Sequence, residues 1–150
     1  MTGIQRALVF ALILCVLLSL CACKSTSFLA LEENYGTALP NDCVVKEACI
    51  MNIGVDMAAI YIIERTESSF ASVFRWTPMD DAAKSEVSSV LDILQTAHEQ
   101  RPLENISLTY HVRLKMDEYL YYKLEREQYN YVYILFDEAC PNEAVVISVD

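Results

Sequence analysis

The chain has 150 residues, with 21 acids against 11 lysines and arginines and a formal net charge of −10. That balance excludes a nucleic-acid surface, because phosphates demand a concentrated basic patch and the basic residues here are scattered and outnumbered. Glycine occurs at Gly3, Gly36 and Gly54 alone, which excludes a glycine-rich phosphate loop.

The first element in chain order is an address. Met1 to Arg6 carries one basic side chain, and Ala7 to Ala22 then runs without a charge before Lys24, Ser25, Thr26 and Ser27 turn the composition polar. A basic start, an apolar run and a small residue at its end is the pattern of a secretory signal. The run is shorter than the roughly 20 residues that a membrane-crossing helix needs. It closes on Leu20-Cys21-Ala22-Cys23. This tetrad resembles the lipobox of bacterial lipoproteins, with Cys21 at a place where Ala, Ser, Thr or Val is more usual. The resemblance covers residues 1–23 only. It implies a signal peptide over 1–22, cleavage after Ala22 and a diacylglyceryl group on the sulfur of Cys23. Two or more acyl chains hold a protein on a bilayer stably where one does not, at about 0.8 kcal/mol per buried methylene. The expected location is the bacterial cell envelope, with the lipid on Cys23 as the link to the membrane. Lys24, where Asp often retains lipoproteins at the inner membrane, implies the outer membrane, facing the periplasm, in a Gram-negative host.

Cleavage removes Arg6 and no acid, so the processed chain stands at −11. An acidic surface of this kind keeps a protein soluble and attracts basic partners at long range. Residues 23–42 read as a lipidated tether, broken by Gly36, Pro40 and Glu32-Glu33, that reaches about 60 Å when extended. Residues 43–150 read as a single domain. Its thiols are Cys43, Cys49 and Cys140, and export allows a disulfide to persist. Cys43–Cys49 is the favoured pair, provided that a turn separates them, and Cys140 could reach either. Zinc is not expected, since no Cys-x-x-Cys pair or histidine cluster supports it. No other cofactor is expected.

Within the domain, Ala58 to Arg65 and Phe70 to Trp76 read as strands joined by a hairpin through Thr66-Glu67-Ser68-Ser69. Cys43 to Asp56 is consistent with a short strand or a helix. Thr77-Pro78-Met79-Asp80 reads as a helix start, with Thr77 as cap and Pro78 in the first helical position. Val87, Val90, Leu91, Leu94 and Ala97 recur at helical spacing, which predicts one long helix over about 78–100, ending before Pro102. Ile106, Leu108, Tyr110, Val112, Leu114 and Met116 alternate with polar residues and predict a strand. Residues 118–127 fit strand or helix, with strand preferred. Asn130 to Asp137 and Ala144 to Val149 predict a final hairpin. The fold class is therefore α+β: an antiparallel sheet with one long helix packed across it.

Chemistry-bearing residues are sparse. His98 and His111 lack a nucleophile motif beside them, and Asp80-Asp81 and Asp117-Glu118 are acid pairs of the kind an acidic chain yields by chance. No catalytic residue emerges. If one sheet face were bare, alternation would turn some of the many late tyrosines outward; Tyr119, Tyr121, Tyr131 and Tyr133 are the candidates for that interaction face. The expected function is a non-enzymatic protein-interaction module anchored in the envelope, with an envelope protein as partner. The alternative is an inhibitor or ligand-binding module directed at a basic envelope-active enzyme.

Overall fold

The computed structural model describes residues 39–53, 56–125 and 131–149. The expected signal peptide and Cys23 lie outside them. Leu39 is buried and Asp42 forms an ion pair with Arg65 at 3.0 Å, so the folded body reaches back into the stretch expected to be tether.

Eight elements follow in order: β1 (Cys43–Ile53), β2 (Asp56–Arg65), β3 (Thr77–Pro78), α1 (Asp81–Gln100), α2 (Ser107–Leu114), β4 (Leu120–Glu125), β5 (Tyr131–Phe136) and β6 (Glu143–Val149). The strands form one six-stranded antiparallel sheet in the order β1-β2-β6-β5-β4-β3. The described residues are thus α+β with two helices, where one had been expected. The last strand lies mid-sheet, with Ile147 opposite Ile60 on one side and Tyr133 on the other. Its run of β-branched residues suits that place, because a central strand covered on both faces excludes water from every side chain. Ala144 to Ser148 are all buried. Ser148 is the polar member, and its Oγ has no hydrogen-bond partner.

Helix α1 lies across one face. Val87, Val90, Leu91 and Leu94 are fully buried along its inner stripe, at roughly 1.5–3 kcal/mol for each large side chain. They pack with Cys49, Ile60, Tyr133, Leu135, Val145 and Ile147 of the sheet. The helix starts at Asp81, and its cap is Asp80, whose Oδ1 accepts the Ala83 N–H at 2.7 Å. Thr77 and Pro78 are extended instead and pair with Tyr121 and Leu120. Asp caps at least as well as Thr, and proline at a sheet edge costs no ladder hydrogen bond. At the other end the Arg101 N–H reaches Ala97 O, and Pro102 stops propagation.

Three expectations fail here for identifiable reasons. Ile106 to Met116 is not a strand. The alternating run is two helical stripes added together. Residues 108, 112 and 116 form one stripe, and Leu108, Val112 and Met116 are buried; 106, 110 and 114 form the other. Phe70 to Trp76 is not a strand either. The Phe70 N–H goes to Pro141 O, the Val73 N–H turns back to Phe70 O, and the Trp76 Nε1–H also reaches Phe70 O at 3.1 Å. Its aromatic rings serve as a lid. Phe70 is fully buried on the second sheet face; Trp76 stacks on Phe136 at 4.9 Å and Phe74 on Tyr122 at 4.7 Å. The sheet is therefore covered twice, by helices on one face and by residues 66–76 on the other.

That second cover overturns the outward tyrosine face. Alternation sends Tyr121, Tyr131 and Tyr133 to the helix side, and Tyr119 precedes β4 on the same side. Tyr119 and Tyr133 are buried, and Tyr121 and Tyr131 are half-buried. The Tyr133 hydroxyl donates to Glu86 Oε2 at 2.7 Å, and Lys123 Nζ meets the same carboxylate at 2.8 Å. Lys123 and the Tyr133 hydroxyl together hold the Glu86 carboxyl below its ordinary range. These rings fasten α1 to the sheet.

Candidate functional site

Among the described residues, strand β1 is an edge of the sheet with no strand on its outer side. It is eleven residues long and carries a bulge between Val45 and Glu47. The Ala48 carbonyl does not point towards β2: it accepts the Asn105 Nδ2 amide at 3.0 Å. In an antiparallel ladder each residue directs its N–H and C=O to the same side, and successive residues alternate. The main-chain groups of Ala48, Ile50 and Asn52 therefore face outward.

Two grooves run beside this edge. One, of about 710 Å³, lies between Val45–Asn52 and the chain that leaves α1, residues 97–105. The second, of about 530 Å³, lies between β1 and α2, with Leu108, Tyr110, His111 and Leu114 on its helical wall and Ile62 in its floor. Lys46 and Glu47 line both. The outer wall is unusually apolar: Leu114 is 86% exposed and Tyr110 is 58% exposed, one helical turn apart. Val44 and Ile50 are exposed on β1 itself. Singly such residues are normal on a surface, but Tyr110 and Leu114 together on the wall of one groove mark a contact site.

Helix α2 is held rigidly while it displays them. Arg113 pairs with Asp92 of α1 at 2.7 Å, and Gln95 Nε2 donates to Thr109 Oγ1 at 3.3 Å. The Leu103 N–H donates to His98 Nδ1 at 2.9 Å, so His98 ties down the connection between the helices. Asn105 precedes α2 in the left-handed region, at φ 54°, a conformation that Asn tolerates better than most residues.

Charge around the groove is mixed but acidic. Lys46 is neutralised by Glu143 at 2.6 Å and Glu64 at 3.7 Å, which raise its pKa. Elsewhere Arg65, Lys84, Arg113, Lys115 and Lys123 also sit in ion pairs. Much of the positive charge is thereby spent internally, and the surplus carboxylates face solvent.

A second cluster lies where α2 ends. Lys115 Nζ meets Asp137 Oδ2 at 2.8 Å, with Tyr119, His111 and Cys140 around a cavity of about 30 Å³. That space suits a water molecule, not a substrate. Lys115 holds the Asp137 carboxyl below its usual range, and burial pushes the Tyr119 hydroxyl up to about 12. Asp137 Oδ1 also accepts the Ala139 N–H at 2.8 Å. The cluster reads as a tie between α2 and the sheet.

Of the other residues singled out in the sequence, Cys140 is an exposed free thiol and Cys49 a buried one whose pKa burial raises. Cys43 and Cys49 stand six residues apart on one extended strand, roughly 20 Å, far beyond disulfide reach. The expected turn between them does not exist. Among the described residues no group of three metal-binding side chains comes together, and no helix is long and apolar enough to cross a membrane. Sequence reasoning missed Tyr110, Leu114 and Asn105. The available signal was the four-residue spacing 106/110/114, hidden inside the alternation. No protein-family profile matches the chain, and no curated protein or solved structure is similar to it.

Proposed function

We propose that this chain is a lipid-anchored bacterial envelope protein, acylated on Cys23, that works as a non-enzymatic protein-interaction module through the groove between β1 and α2. The observation that carries the reading is the rigidly mounted, exposed pair Tyr110 and Leu114 beside an open sheet edge. Helix α2 has a buried stripe at Leu108 and Val112 that accounts for its packing. Of the second stripe, Ile106 packs against the core while Tyr110 and Leu114 stay exposed, and an apolar patch kept in water is a surface awaiting contact. Tyrosine and leucine on a fixed helix bury area with little loss of conformational entropy. The lipobox resemblance supplies the anchor and the compartment.

The test is capture from detergent-solubilised envelopes by the full-length protein, wild type against Tyr110→Ala/Leu114→Asp. The double variant should melt like wild type and lose the captured partner. Retained capture would place the interface elsewhere. Capture by wild type that vanishes in high salt, with no dependence on Tyr110 or Leu114, would favour the inhibitor of a basic enzyme, acting through the acidic surface. Separately, Cys23→Ser should move the protein from the membrane to the soluble fraction.

A further inference from the structure

We infer that β1 receives an added strand: an extended, lysine- or arginine-bearing segment of the partner hydrogen-bonds along the outward main-chain groups of Ala48, Ile50 and Asn52, with Asn105 as the group it displaces. The inference rests on the interaction-module reading and says how that partner is held. Strand addition draws its affinity from main-chain hydrogen bonds and its selectivity from alternate side chains. Natural sheets guard their edges by shortness, proline or a covering element. The opposite edge does so, with β3 only two residues long and ending in Pro78. Strand β1 is neither short nor proline-bearing, and its guards are a bulge and the Asn105 amide. It has a bulge near one end and then an uninterrupted stretch from Glu47 to Ile53 paired to β2 on its inner side.

Asn105 carries the argument further. Its amide donates to Ala48 O at 3.0 Å, where the N–H of a neighbouring strand would donate. It does so from an exposed loop position with φ 54°. A side-chain amide in that place satisfies the carbonyl while the edge is vacant and can leave without breaking any ladder bond. Among the described residues, Ile50 and Asn52, farther along, have outward groups with no such substitute. The groove of about 710 Å³ between this edge and residues 97–105 gives an incoming chain its room.

Charge selects the occupant. With Lys46 neutralised by Glu143 and Glu64, the groove shows Glu47 and Glu104 against Arg101. The whole chain is at −10. A second copy would bring two acidic edges together; a cationic segment meets complementary charge.

The probe is a labelled peptide of about ten residues that alternates lysine with valine or threonine, titrated into the full-length protein in micelles and followed by fluorescence anisotropy. It should bind, with hydrogen exchange of the Ile50 amide slowed. The same peptide N-methylated at alternate residues along its pairing edge should bind about tenfold or more weakly, and so should a version with glutamate for lysine. Ile50→Pro removes an outward N–H without touching the β2 ladder and should reproduce the loss, its fold checked by melting. Asn105→Gly, which removes the amide and keeps the positive φ, should tighten binding severalfold. An N-methylated peptide that binds as well as its parent overturns strand addition without needing any protein variant. Capture of an envelope partner that still depends on Leu114 would then leave the interaction module standing. Loss of that capture, with peptide binding intact, would instead sink the α2 contact and keep the strand.

Discussion

At one flank of the sheet, β3 is two residues long and follows directly on a stack of aromatic rings. At the other, β1 is eleven residues long and leaves apolar side chains in water. The closed flank spends its aromatics on itself: Phe74 on Tyr122, Trp76 on Phe136 and on Phe74. The open flank holds Tyr110, Leu114, Val44 and Ile50 with much of their apolar surface in water. The same residue classes therefore do opposite things within one domain. Apolar side chains that meet a partner in the fold are stability; those that the fold holds away from one are a surface for something else.

The contrast can be broken at several strengths. The floor common to both flanks is the α1 stripe, so Leu91→Asp or Leu94→Asp should abolish the cooperative melting transition, since an unpaired charge would sit where no water reaches. A normal transition in either variant would refute the packing. At the closed flank, Trp76→Ala should cost about 3 kcal/mol, read as a lowered denaturant midpoint, because it removes two ring contacts and leaves a cavity beside Phe136. A loss below about 1 kcal/mol would mean the aromatic lid is ornamental.

The tie that positions α2 should respond to pH. Lys115 holds the Asp137 carboxyl below its usual value. Its contribution is therefore complete above the unfolded value near pH 4 and fades as pH falls through the lower folded one. Asp137→Asn should cost about 1 kcal/mol at pH 7, and the difference from wild type should shrink below about pH 4. A gap that persists at pH 2 would point to the Ala139 N–H contact instead of the ion pair. The smallest effect belongs to the open flank. Leu114→Asp should change stability by less than about 0.5 kcal/mol, whereas Val112→Asp, two residues away, should unfold the domain. Equal losses would erase the distinction between the two stripes of α2.

Legibility in the sequence followed the range of the interaction. The α1 stripe of Val87, Val90, Leu91, Leu94 and Ala97 was readable because its period is set by neighbours three and four residues away. β2 and the hairpin of β5 and β6 were readable from β-branched runs bounded by turn residues. Residues 106–116 satisfied two periods at once. Only packing against α1, through Thr109, Val112 and Arg113, selected the helix. The lid at 70–76 has strand-like composition, yet the Phe70 N–H found its partner in the β5–β6 turn and the Val73 N–H turned back within the segment. The candidate site was invisible for the same reason: Asn105 and Ala48 lie 57 residues apart and meet only in the folded chain.

By itself the sequence determined an acidic chain without a basic patch or a glycine-rich loop, an N-terminus with the pattern of a lipidated export signal, and one long amphipathic helix beside β-forming segments. These properties reside in composition and short spacings, which no distant residue alters. The tertiary structure alone decided that both sheet faces are covered, that Tyr119, Tyr121, Tyr131 and Tyr133 turn inward, and that among the described residues β1 keeps a bare outer edge. Which side of an element is buried depends on what arrives to cover it. That is fixed by contacts between residues far apart in the chain, whose joint free energy no local window contains.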